Sequence, residues 1–129
     1  MRSTAGPDEK PLFWVSSSKR DLLAMPEPVV RELGTALGVA QYGDKHPAAK
    51  AWKGEGPGVF EVVRNFGGDT FRVVYTVRLP KAVYVLHCFQ KKSHRGIQTP
   101  RPDVELVLQR LRLARQDYEE RHGNTKPKE

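Results

Sequence analysis

A dense group of basic residues ends the segment VYVLHCFQKKSHRGIQTP, which occupies residues 83–100. The first half alternates apolar residues as a strand does, and the second half contains Lys91, Lys92, His94 and Arg95. Arginine and lysine stabilise the negative charge that develops on a phosphorane, and an imidazole near its ordinary pKa transfers protons. The combination suits cleavage of RNA, in which the neighbouring 2′-hydroxyl attacks the phosphate and no metal is required.

The net charge of +7 is concentrated in one part of the chain. Residues 62–101 contain eight Arg or Lys residues and one acidic residue, Asp69, whereas basic and acidic residues balance in the remainder. Like charges gathered in one segment repel one another, and such segregation is typical of proteins that bind a polyanion. The charge pattern therefore favours a nucleic acid or an acidic protein as partner. An ordinary basic surface is the alternative.

Arg72 is predicted to lie close to the basic end of this strand. If the preceding hairpin turns at Pro80-Lys81, Arg72 falls opposite Phe89. We then expect its guanidinium and the neighbouring lysines to form one solvent-open surface sized for a phosphodiester. An ion pair across the sheet with Glu61 is the alternative for Arg72.

Other common chemistries leave no signature in the sequence. There is no phosphate-binding P-loop and no GxGxxG motif, and the four histidines have no metal-ligand spacing to one another or to Cys88. His87 and Cys88 are adjacent in a strand and should point to opposite faces, which makes a nucleophile pair geometrically poor. No apolar run is long enough to cross a bilayer, and no signal peptide is visible. We expect a cytoplasmic protein without a metal or cofactor, and no membrane association.

The sequence pattern predicts strands and helices in the order β-α-α-β-β-β-α, which indicates an α+β domain. These elements must position the basic residues. A small antiparallel sheet, an N-terminal helical hairpin and a C-terminal helix are expected. The predicted strands are PLFWV (11–15), VFEVVRNF (59–66), TFRVVYTVRL (70–79) and AVYVLHCFQ (82–90); the helices lie in 16–26, in 27–43 and from Thr99 to Gly123; and 43–58 is a loop. We assign residues 1–10 to a flexible tail, 11–123 to a single domain and 124–129 to a disordered tail. The arginines of the last helix are predicted to be its solvent face.

The segment DTFRVVYTVRLPKAVYVLHCFQKKSHRGIQTP, together with the upstream GDKHPAAKAWKG, resembles the phage-derived HigB-like branch of the RelE/ParE superfamily of toxins. In that branch a YR-x-x-Y strand is followed by V-x-V-L-H-x-F-x-K-K and then by T-P at the start of the final helix. The resemblance covers most of residues 11–120, and the FQKK…TP stretch is its most specific part. It implies a RelE-like fold.

The resemblance also implies an activity and a partner. Toxins of this kind are metal-independent endoribonucleases that cleave messenger RNA on the translating ribosome, and their partner is an antitoxin, often a helix-turn-helix protein. A ParE-like inhibitor of DNA gyrase and a plain RNA- or ribosome-binding module are the non-enzymatic alternatives. The predicted catalytic residues are Arg72, Lys91, Lys92 and His94, and the predicted RNA-binding residues are Lys50, Lys53, Arg64, Tyr75 and Arg95.

Overall fold

A computed structural model describes residues 9–54, 56–91 and 100–123. Within these ranges the elements are β1 (Leu12–Trp14), α1 (Ser18–Leu23), α2 (Glu27–Gln41), β2 (Ala49–Ala51), β3 (Val59–Phe66), β4 (Asp69–Thr76), β5 (Val83–Lys91) and α3 (Arg101–His122). The strands form one five-stranded sheet in the order β1-β5-β4-β3-β2. The predicted α+β class is confirmed. None of the described helices combines the length and the apolar composition that crossing a bilayer requires.

The sheet differs from the predicted one in two respects. Ala49–Ala51, in the segment predicted to be a loop, forms β2 and pairs antiparallel with β3. β1 runs parallel to β5, with Leu12 opposite Val83, so the sheet is mixed rather than purely antiparallel. A three-residue strand is too short to show a period, and the pairing of strands far apart in sequence is decided by packing that local patterns do not record.

The sheet separates two buried clusters, because alternate residues of a strand face opposite sides. On one side, which we call the hairpin face, α1 and α2 cover residues such as Val62 and Val73. On the other side, the α3 face, the last helix covers Val74 and Leu86. Both faces of the central strands are therefore buried, which explains why the sequence of these strands is apolar beyond simple alternation.

The β3–β4 hairpin fixes the register of the central strands. Phe66 pairs with Asp69, and the two residues between them, Gly67 and Gly68, have φ values of 61° and 86°. Two consecutive positive φ values define the turn type whose twist matches that of paired strands, and glycine adopts them without steric cost. The two glycines therefore specify this tight hairpin.

A β-bulge interrupts β5. Val74 of β4 pairs with His87 while Tyr75 pairs with Val85, so that Leu86 has no partner in the register. Leu86 belongs to the buried cluster on the α3 face, and His87 is bonded to an α3 side chain, so these two consecutive residues face the same side. The bulge thus redirects the second half of β5, which carries the predicted site.

Arg110 of α3 corrects the prediction that the arginines of this helix all face solvent. Arg110 is buried, and its guanidinium donates hydrogen bonds to the backbone carbonyl of Leu86 at 3.0 Å and to Oγ of Ser17 at 3.2 Å. A bulged residue leaves a backbone group outside the ladder, and a buried carbonyl requires a donor. Arg110 supplies that donor and links α3 to β5 and to the start of α1.

Candidate active site

The register brings three of the predicted basic residues to the α3 face of the sheet. Arg72 is paired with Phe89, as predicted from the hairpin turn, and Phe89 belongs to the buried cluster on that face. Lys91 is the last residue of β5 and, two positions after Phe89, points to the same side. Lys50 of β2 is paired with Glu61 of β3. We call Lys50, Glu61, Arg72 and Lys91 the cation cluster.

Arg72 is held by a carboxylate inside this cluster. Its Nη1 lies 2.8 Å from Oε1 of Glu61, and the two side chains are 12% and 3% exposed. Its Nε is buried and has no hydrogen-bond partner among the described residues. The ion pair considered as the alternative for Arg72 is therefore confirmed, and the expectation of a solvent-open Arg72 guanidinium is wrong. Because little water reaches this position, the attraction between the opposite charges on adjacent strands is weakly screened.

Lys91 lies half-buried beside that ion pair. Partial burial and then the positive charge of Arg72 lower the pKa of Lys91 from its ordinary value, and the carboxylate of Glu61 opposes them. A lysine with a lowered pKa gives up its proton more readily near neutral pH. This is the property expected of a lysine that transfers a proton in the site.

Glu61 is a member of the cation cluster for which the sequence pattern predicts only a possible ion pair with Arg72. It is buried, it binds the Arg72 guanidinium, and it is in register with Lys50. A buried carboxylate among cations fixes their positions and offsets their mutual repulsion. The available signal was a single acidic residue at a core-facing position of the otherwise apolar stretch VFEVV.

Two of the predicted RNA-binding residues lie on the hairpin face instead. Tyr75 is 1% exposed within the cluster under α1 and α2, and burial raises the pKa of its hydroxyl to about 12. Its ring therefore has no surface to offer an RNA base. Arg64 is in register with Phe71, which belongs to the same cluster, and its guanidinium pairs with Glu32 of α2. The strand period separates both residues from Arg72.

The remaining predicted residues divide into two groups. Lys53 is exposed and follows Trp52, whose buried ring belongs to the cluster on the α3 face. Lys92, His94 and Arg95 lie outside the described residues, as does the predicted start of the last helix at Thr99. Among the described residues, no three His, Cys, Asp or Glu side chains are grouped so that they could hold a metal ion.

His87 occupies the core beside the cation cluster. Its Nε2 lies 2.8 Å from Oδ1 of Asp103 in α3, and its ring stacks on Phe89 with centroids 4.4 Å apart. Cys88, the next residue, is buried on the opposite face, as the strand period predicts, and burial raises the pKa of its thiol to about 12. Neither residue is positioned to form a nucleophile pair with the other.

Burial of His87 predicts a loss of stability in mild acid. Desolvation lowers the pKa of His87 below its ordinary value of 6.5. The carboxylate of Asp103 opposes this shift, the charge of Arg110 adds to it, and Asp21 opposes it. At pH values between the pKa of His87 in the unfolded chain and its lower pKa in the folded protein, the unfolded chain binds more protons than the folded protein. The stability that is fully present above the unfolded-state pKa is therefore lost as the pH falls through the folded-state pKa. Urea midpoints measured from about pH 8 to about pH 5 should decrease more steeply in the parent protein than in His87→Gln.

The matched control for this prediction is His46→Gln, in the loop before β2. This variant should keep the pH slope of the parent protein. If His87→Gln also keeps the full slope, the pH dependence of stability originates in other groups.

Comparison with known families adds one match. A family model described as "Phage derived protein Gp49-like (DUF891)" matches residues 20–112. The matched range extends from α1 into α3 and contains every member of the cation cluster. No curated protein matches the chain.

Proposed function

Because the chain belongs to the family of Gp49-like phage-derived proteins, we propose that it is the toxin of a toxin–antitoxin pair. Membership of this RelE-like family is consistent with a toxin in general. The finer proposal is a metal-independent endoribonuclease that cleaves messenger RNA on the translating ribosome. The observation that carries it is the grouping of Lys50, Arg72 and Lys91 on one face of the sheet. In the sequence, Lys91 is followed directly by further basic residues.

The proposed chemistry uses the 2′-hydroxyl of the RNA as nucleophile. Such a reaction needs a group that accepts the hydroxyl proton, positive charge to stabilise the phosphorane, and a group that protonates the leaving 5′-oxygen. Lys91, whose pKa is lowered, supplies positive charge and then the proton for the leaving oxygen. His94 is the proposed proton acceptor, and Lys92 is a further phosphate ligand. The products are a 2′,3′-cyclic phosphate and a 5′-hydroxyl.

In this proposal Arg72 does not stabilise the phosphorane directly, which is the role that an arginine in this segment first indicates. Because its guanidinium is bound to Glu61, it is a positioning residue. Burial is the main cause of the lowered pKa of Lys91, and the positive charge of Arg72 adds to that effect. Lys50 and Lys53, which are exposed, bind the RNA backbone on either side of the cleaved bond. Arg95 is a further proposed contact to the backbone. The proposed partner is a cognate antitoxin with a helix-turn-helix domain that covers this basic face.

The proposal is tested by mapping messenger ends after incubation of the purified protein with translating ribosomes. We expect new 5′ ends within the translated region, a 5′-hydroxyl on the downstream fragment, and no cleavage of the same RNA without ribosomes. Cleavage that persists in EDTA-treated, ribosome-free reactions would indicate a nuclease with another substrate. Intact messenger combined with inhibited DNA supercoiling would establish the gyrase-directed alternative. Ribosome binding without cleavage would establish a binding module.

A further inference from the structure

A second group of basic side chains lies at the opposite end of the sheet from Lys91. Its members are exposed and belong to the β4–β5 connection or to the C-terminal half of α3: Arg78, Lys81, Arg112 and Arg115. We call these four residues the distal basic patch. Its first two members belong to residues 62–101, whose charge accounts for the whole net charge of the chain. β5 runs from Val83 to Lys91, and at about 3.3 Å per residue the patch lies roughly 25 Å from Lys91 along the strand.

Two arginines of the patch are held on the same two backbone residues. Nη2 of Arg115 donates a hydrogen bond to the carbonyl oxygen of Pro57 at 3.4 Å. A Cβ atom on Gly58, whose φ is 76°, would lie only 2.9 Å from Cδ of Arg78, so the stem of Arg78 lies directly on this glycine. Because Pro57 and Gly58 are adjacent, the end of β4 and the last helix bring the two side chains to the same place.

The other two members lie along the same part of α3. The backbone N–H of Lys81 donates a hydrogen bond to the hydroxyl of Tyr118 at 3.1 Å. Tyr118 follows Arg115 by one turn of the helix, and Arg112 precedes it by one turn, so these positions are neighbours on the helix surface. Contacts between the β4–β5 connection, the segment before β3 and α3 therefore gather four cations.

The charge of the distal basic patch is not neutralised by the described part of the protein. Other exposed arginines, such as Arg31 and Arg121, are paired with carboxylates four residues away. No member of the patch has an ion-pair partner among the described residues. Glu119 lies one turn after Arg115 without forming an ion pair with it, and Glu55 lies outside the described residues. Positive charge that is held in place and left unpaired is suited to an anionic partner.

The patch offers charge but no ring on which a base could stack. The nearby rings of Trp52 and Tyr118 are each only 6% exposed. Among the described large apolar side chains that are exposed, Leu113 alone belongs to α3 or to the β4–β5 connection, and it lines a different surface, the groove beside β1. Proteins that bind single strands stack bases on exposed aromatic rings, whereas a double helix is bound largely through its phosphates. The composition of the patch therefore favours the backbone of a double helix.

We propose that the distal basic patch binds the phosphate backbone of double-helical RNA while the cation cluster holds the message to be cleaved. The two arginines on Pro57 and Gly58 each pair with a phosphate group, which the planar guanidinium can bind through two hydrogen bonds. The choice of RNA over DNA rests on the proposed function, because a nuclease that acts on translating ribosomes meets RNA helices together with the message. No member of the patch belongs to the cation cluster, so the binding itself does not require cleavage.

Binding is measured by fluorescence anisotropy with the full chain and a fluorescein-labelled RNA duplex of about 20 base pairs. We expect Arg78→Gln/Arg115→Gln to weaken binding by at least about tenfold and to reduce the slope of log affinity against log salt by about 2. Lys81→Gln/Arg112→Gln should have a similar effect. The side chains that this second variant changes make no hydrogen bond or ion pair among the described residues, so it keeps the test valid if the first variant does not fold.

The matched control is Arg20→Gln/Arg31→Gln. It also removes two exposed arginines, but these belong to the helical hairpin and are paired with carboxylates. Its affinity for the duplex should stay within about twofold of that of the parent protein. The thermal midpoints of all variants show whether a loss of binding reflects a loss of fold.

Cleavage assays separate this inference from the proposed nuclease. On translating ribosomes, Arg78→Gln/Arg115→Gln should raise the ribosome concentration needed for half-maximal cleavage and leave the rate at saturating ribosomes unchanged. A parent protein that binds the duplex but cleaves no messenger would refute the nuclease alone. A parent protein that cleaves messenger but does not bind the duplex, or whose patch variants bind it equally well, would refute the distal site alone.

Other anions give other results in the same assay. A DNA duplex of the same length that binds as tightly as the RNA duplex, and is lost in the patch variants, would mean a surface for DNA or for any double helix. Preferential binding of single-stranded RNA would mean a site that reads unpaired nucleotides. Preferential binding of polyglutamate would mean a surface for an acidic protein. Each of these results would contradict double-helical RNA as the partner of the distal basic patch.

Discussion

Replacing Lys91 with alanine is expected to lower the rate of messenger cleavage on ribosomes by at least about a hundredfold, the usual effect of removing one group that stabilises transition-state charge. Lys91 is the last residue of β5 and its side chain is half-buried, so its removal should leave the sheet register and the thermal midpoint nearly unchanged. The measurement is the initial rate of appearance of the new 5′ end. Lys45→Ala is the control, because its ammonium lies over Phe60, away from the cation cluster.

Lys91→Arg separates the two functions proposed for this residue. The variant keeps the positive charge, but a guanidinium does not release its proton near neutral pH. If Lys91 only stabilises charge, Lys91→Arg should retain most of the activity. If it also protonates the leaving oxygen, the variant should be about as slow as Lys91→Ala. A Lys91→Ala protein that cleaves at the parent rate would exclude Lys91 from catalysis.

The strand period and one turn were enough to predict much of this site. The glycine pair at positions 67 and 68 specifies a tight hairpin, and the position of Arg72 opposite Phe89 followed from the next turn. The same two-residue period could have shown that two of the residues predicted to bind RNA lie on the opposite face of the sheet from Arg72. Tyr75 is three positions from Arg72 and so faces the other side. The register through the glycine turn pairs Arg64 with Phe71, which also directs Arg64 to the hairpin face.

Other features depend on contacts that the local sequence does not encode. The parallel pairing of β1 with β5 joins segments about seventy residues apart, Leu12 with Val83, and is decided by how the helical hairpin packs. The bulge at Leu86 is equally hidden, because VYVLHCF reads as regular alternation. Arg110 was predicted to be exposed because arginine usually is, and only the bulge explains a buried one. These are cases in which tertiary structure overrides the pattern.

The Glu61–Arg72 pair is expected to be the most sensitive position of the fold. The side chain of Glu61 is buried and that of Arg72 is nearly so, and Glu61→Leu therefore leaves an uncompensated guanidinium beside Lys91. This variant should lower the free energy of unfolding by about 3–5 kcal/mol. Arg72→Met leaves an unpaired buried carboxylate and should cost a similar amount. The double variant Glu61→Leu/Arg72→Met removes both charges and should return to within about 1 kcal/mol of the parent protein. Urea denaturation of the four proteins measures this cycle.

A double variant whose loss of stability equals the sum of the two single losses would contradict this coupling.

The same double variant tests whether Arg72 matters for chemistry as well as for stability. With the fold restored, any remaining loss of cleavage is not caused by unfolding. Burial is the main cause of the lowered pKa of Lys91, Arg72 adds to it, and Glu61 opposes it. If protonated Lys91 is the acid that assists the leaving oxygen and the ion pair affects that step, the decline of the cleavage rate at alkaline pH should begin at a different pH from that of the parent protein. A stable double variant with the parent rate and the parent pH profile would mean that the ion pair serves the sheet alone, and that the site must be sought in the lysines without Arg72.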